Sequence, residues 1–156
     1  REQFGNCDGI LTAPVELSLK ELQRLSVEDM TLVAYGRLPL MVSAHCIKKS
    51  LGLCRSKKGT ECTEVPEPML LTDRVGKQLP VIQNCRECYN LIYNPECLSL
   101  LDGGDTVERL CPQAIRLDFT FETKEETERI LKSATGAGTT VTGTGYTRGH
   151  LKRGVE

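Results

Sequence analysis

The chain has 156 residues, 39% apolar and 26% charged, a composition that excludes a disordered polymer and suits one folded domain. Twenty basic against 21 acidic side chains leave a net charge of −1, which excludes a uniformly basic nucleic-acid binder. Trp is absent and aromatics are only 4%, so few rings could stack on unpaired bases. No apolar run approaches the roughly 20 residues of a membrane span, so the chain reads as soluble, cytoplasmic and without a membrane partner.

Residue 1 is Arg, and no charged segment leads into an apolar one. The chain therefore reads as beginning inside a longer protein. Gly9 to Leu19 reads as a loop and short strand. Ser18, with Glu21 three residues on, forms a capping-box start for a helix over 20–25. Residues 30–35 (MTLVAY) predict a short buried strand ended by Gly36, and 43–49 a helical turn. Residues 51–68 carry four Gly/Pro breakers and read as an irregular loop. Two strands at 69–72 and 78–82, joined by Asp73-Arg74-Val75-Gly76, predict a hairpin. A strand at 91–93 and a helical stub at 99–101 follow. Alternation predicts a half-buried strand over 114–121, and Thr123 caps a helix over 124–133 with Glu125, Glu126 and Glu128 near its start. Residues 135–147 are Gly/Thr-rich and read as flexible. The order of elements is α/β in class, a single domain over 1–156.

Eight cysteines are the outlying feature. Cys46-x7-Cys54-x7-Cys62 is followed after 22 residues by Cys85-x2-Cys88, with Cys7, Cys97 and Cys111 apart. Two thiolates three positions apart can reach one metal ion, because the turn between them aims both sulfurs inward. Cys46 and Cys54 form a second pair after the 30–35 strand, so Cys46, Cys54, Cys85 and Cys88 are the expected ligands, closing a site at one end of the sheet. Four thiolates suit structural zinc or an iron–sulfur cluster. Cys62 could replace any one of the four. Disulfides, a redox pair at 85–88 and ordinary buried thiols at Cys7, Cys97 and Cys111 stay open as alternatives.

Tyr35-Gly36-Arg37-Leu38-Pro39-Leu40-Met41 with Cys46 resembles the signature segment of peptidase family U32, the collagenase-like proteases. Thr72-Asp73-Arg74, Leu79-Pro80-Val81, Cys85-x2-Cys88-Tyr89-Asn90, Arg116-Leu117-Asp118-Phe119 and the closing 149–156 resemble its later segments in the family's order. The resemblance implies the C-terminal half of a TIM-barrel-like core, a half-barrel whose missing N-terminal half would be its partner. It also implies a cysteine-bound 4Fe–4S cluster, as in relatives that hydroxylate RNA or serve ubiquinone synthesis, with zinc as the alternative in the isolated chain. Cys46 matches the signature's second cysteine; the first falls on Pro39, so one ligand must come from elsewhere, and Cys54 is the choice.

The residues carry no HExxH and no GxSxG, and only His45 and His150 could serve as an imidazole base. Proteolysis, the activity in the family's name, is therefore the second function considered, and a zinc-stapled module without catalysis the third. Arg37, Arg148 and His150 are the candidate substrate-side groups, since Arg offers paired donors to carboxylate or phosphate. His45 stands beside Cys46 and could support it by hydrogen bonding. Asp118 either points to a site at the top of a barrel strand or pairs with Arg116, its same-face neighbour. Lys48, Lys49, Arg55, Lys57 and Lys58 place five positive charges within eleven residues, a patch that could draw RNA phosphates. An open half-barrel exposes sheet edges, which predicts a homodimer or a metal clip. The chain alone is expected to be inactive.

Overall fold

A strand buried on both faces must read as a continuous apolar run, and Met30–Gly36 (β2) does so, with Leu32, Val33, Ala34 and Tyr35 all buried. The structure, a computed structural model, describes residues 9–25, 27–54, 68–102 and 105–151. Leu11–Thr12 (β1) lies parallel to β2 in the register Leu11↔Met30. Ala114–Asp118 (β8) is also parallel to it, from Thr31↔Ala114 to Gly36↔Asp118, with a bulge between Val33 and Tyr35. Parallel neighbours need a crossover. Helix Leu19–Arg24 (α1) supplies it between β1 and β2, burying Leu22. Helix Lys124–Ala134 (α4) follows β8 and buries Ile130. Helix α1 begins at the expected capping box, Ser18 with Glu21, and α4 at the expected cap Thr123, which also closes a capping box with Glu126.

Cys97–Ser99 (β7) runs antiparallel to β2 in the register Tyr35↔Ser99, and Tyr146–Thr147 (β9) pairs with β7. A helical stub was expected over 99–101. Strand β7 takes Ser99 instead because β2 offers an open edge there, and just beyond the strand Leu100 N–H donates to the Ala34 carbonyl at 2.8 Å. Inside the Gly/Thr-rich stretch Val141 is fully buried; its N–H reaches the Leu101 carbonyl at 2.9 Å and its carbonyl accepts from Ser99 Oγ.

The chain divides into two compact units, the described residues up to Gly36 and from Leu98 onward, and Arg37–Cys97. The second holds a four-stranded antiparallel sheet: Pro39–Ser43 (β3), Met69–Thr72 (β4), Gln78–Asn84 (β5) and Tyr89–Tyr93 (β6), in the spatial order β3-β6-β5-β4. The β4–β5 hairpin forms as expected. Asp73 Oδ1 accepts the N–H groups of Val75 and Lys77, each at 2.8 Å, and Gly76 takes the positive φ of +83° the turn requires. Strand β3 and helix Asp105–Leu110 (α3) arise where no element was expected. The helical turn expected over 43–49 is the short helix Ile47–Ser50 (α2), since Ser43 still belongs to β3. Of the expected loop 51–68, residues 55–67 lie outside the described residues, as do Cys7, Cys62, Arg55, Lys57 and Lys58. Among the described residues neither sheet closes on itself, and the chain is of mixed α/β class.

Candidate functional site

The turn between β5 and β6 is Cys85-Arg86-Glu87-Cys88, flanked by the paired residues Asn84 and Tyr89. Asn84 Oδ1 accepts the Glu87 N–H at 3.1 Å, a side-chain-closed turn, and Cys88 adopts a left-handed φ of 58° that only a few non-glycine residues take. The Cys88 thiol turns back toward the Cys85 carbonyl at 3.8 Å. Because β3 runs antiparallel to β6 with Ser43 opposite Asn90, the chain leaving β3 emerges at the same end of the sheet as this turn. Three residues later Cys46 stands at the N-cap of α2, and Cys54 follows the helix with its N–H on the Lys48 carbonyl at 3.2 Å. Topology therefore brings the two cysteine-bearing stretches to one end of one sheet.

Cys46, Cys54 and Cys88 are free thiols with their side chains wholly or partly exposed. Soft, accessible thiols on loops are the donor chemistry a zinc or iron–sulfur centre takes. Among the described residues, however, no three His, Cys, Asp or Glu side chains aim at one point from which an ion could be held. Backbone and donor type suit a thiolate centre, while the described side chains form no such group.

His45 lies in the same region. Its Nε2 is 2.6 Å from Ser50 Oγ, whose hydroxyl also reaches the Cys46 carbonyl at 3.1 Å. Arg37 donates from Nη1 to the carbonyls of Asn94, at 2.9 Å, and Pro95, so its fork is turned onto backbone that closes the start of β3 against the end of β6. Arg37, His45 and the four cysteines belong to the Arg37–Cys97 unit; Asp118, Arg148 and His150 belong to the other. There Asp118 Oδ1 pairs with Arg116 Nε at 2.6 Å, the ion-pair alternative among its two expected roles. Arg148 pairs with Asp102, whose side chain is only 7% exposed, and His150 is exposed on the turn after β9.

Three polar groups escaped the sequence reading. Gln83 and Asn90 face each other across β5 and β6 and are both buried. Tyr35, also buried, donates to Glu122 Oε1 at 2.9 Å while Oε2 accepts the Thr120 and Phe121 N–H groups. A polar residue at an inward strand position was the signal available for the first two. The third joins residues 87 apart, and nothing local announces it.

Compared with known proteins, the chain matches no family model, no curated protein and no solved structure. No helix among the described residues is long and apolar enough to cross a membrane.

Proposed function

We propose that the chain is part of a protein of the U32 peptidase type, carrying a thiolate-bound metal centre on Cys46, Cys54, Cys85 and Cys88 and serving hydroxylation of an RNA base or similar ring. The observation that carries this reading is the delivery of both cysteine stretches to one end of the antiparallel sheet by the β3–β6 register. The parallel trio β1-β2-β8, with helices following β1 and β8, supports a half-barrel origin for the other unit. A closed four-thiolate centre passes electrons if it is iron–sulfur, or staples the chain if it is zinc. Lys48 and Lys49, on the helix just after Cys46, add positive charge suited to RNA phosphates. A second copy of the chain is the partner proposed for β3, a sheet edge with Leu40, Met41 and Val42 exposed.

Proteolysis keeps one observation in its favour, the 2.6 Å approach of Ser50 Oγ to His45 Nε2. Metal and sulfide analysis after anaerobic isolation separates the readings. Iron with inorganic sulfide supports the cluster, and one zinc per chain the staple. Folded, metal-free protein that degrades gelatin, and stops doing so as Ser50→Ala, supports the peptidase. Turnover of RNA by the isolated chain would overturn the expectation that it is inactive alone.

A further inference from the structure

Asn90 links the two cysteine stretches. It stands on β6 two residues beyond Cys88, and its side-chain Nδ2 donates to the carbonyl of His45, the residue immediately before Cys46, at 2.5 Å, with the Ser43 carbonyl at 3.4 Å. The orientation of the carboxamide follows from its surroundings, since the reverse placement would set its oxygen against two carbonyl oxygens. His45 then continues the chain of contacts through Nε2 to Ser50 Oγ and from that hydroxyl to the Cys46 carbonyl. One buried side chain on β6 thus fixes the backbone from which Cys46 is presented.

This arrangement costs stability. Asn90 is fully buried, yet its Oδ1 finds no partner among the described residues, and Gln83 directly opposite is 1% exposed with its Oε1 likewise unpartnered among them. Two adjacent carboxamide oxygens without donors are unfavourable in an inward-facing strand pair, where a branched apolar residue would pack at no such penalty. A locally unfavourable residue that ties two remote segments together is what a positioning role requires.

We infer that Asn90 is the positioning residue of the cysteine site, holding the Cys46 stretch beside the Cys85–Cys88 turn through the His45 carbonyl. The inference rests on reading those cysteines as metal ligands. The test is anaerobic titration of the reduced, metal-free full chain with cobalt(II), followed by the thiolate-to-cobalt absorption. Wild type is expected to develop the band and the Cys85→Ser, Cys88→Ser variant to lose it. Asn90→Leu is expected to stay folded and to bind cobalt at least tenfold more weakly. Unchanged affinity in Asn90→Leu, with the band lost in the cysteine variant, overturns the role of Asn90 and leaves the metal reading standing. No band in wild type removes both. If Asn90→Leu does not fold, exchange of the Asn90 side-chain amide protons in wild-type protein decides. Exchange at least a hundredfold slower than that of a free carboxamide is the expected result, and exchange at the free rate overturns the tie.

Discussion

At Gly36 the backbone itself sets the limit. A Cβ built there would stand 2.8 Å from the Asp118 Cβ and 2.9 Å from its carbonyl oxygen, and φ is +147°, where side chains are rarely found. Both obstacles belong to β8, the parallel neighbour of β2, so neither yields without separating the strands. Gly36→Ala is expected to lower stability by about 2 kcal/mol, read as a fall in the urea midpoint. Arg148 presents a different balance. The side chain of its partner Asp102 is only 7% exposed and its other oxygen, Oδ1, has no partner among the described residues, so Arg148→Ala would strand a carboxylate with little access to water. A loss of about 1–3 kcal/mol is expected; an unchanged unfolding midpoint would show that the pair is only a surface contact. The Arg116–Asp118 pair was legible in the sequence as one of two alternatives because it obeys the period of a strand. The Asp102–Arg148 pair was not, because its members come from separate loops.

Elements with local instructions were the readable ones. The starts of α1 and α4 follow from capping boxes within four residues, and the β4–β5 hairpin from an Asp and a Gly in its turn. Strand β7 carries no such instruction: three buried residues fit a helix or a strand equally, and the open edge of β2 decides. Pro39 and full exposure along most of β3 hide that strand in the same way. The capping box of α4 has a consequence in solution. Hydrogen bonds from the Thr123 backbone N–H, then from its side chain, hold the Glu126 carboxyl below its ordinary value of 4.5. A carboxyl with a lowered folded pKa supports the helix fully above the unfolded value and gives up that support as pH falls through the folded one. The protection factor of amides at the start of α4, exchange corrected for its intrinsic pH dependence, is therefore expected to be steady at neutral pH and to fall on acidification below 4.5. The same acidification in Glu126→Gln is expected to have less effect.

Across the molecule, the sequence suggested one domain with a cysteine-rich loop, while the contacts group into two units, with all four candidate ligands in one of them. The spacing of the cysteines told which residues to consider. Their shared end of the sheet depends on the β3–β6 register, a long-range pairing that spacing alone does not encode. Asn90 and Gln83, buried and polar beside that end, stood at inward strand positions, but their pairing rests on the β5–β6 register, which spacing does not encode either. The direct measurement is metal and sulfide content per chain after anaerobic isolation, set against the Cys85→Ser, Cys88→Ser variant. Stoichiometric iron–sulfur or zinc in the first and its loss in the second is the predicted result. A folded wild-type chain without metal, with the same unfolding midpoint as the variant, would contradict the metal centre.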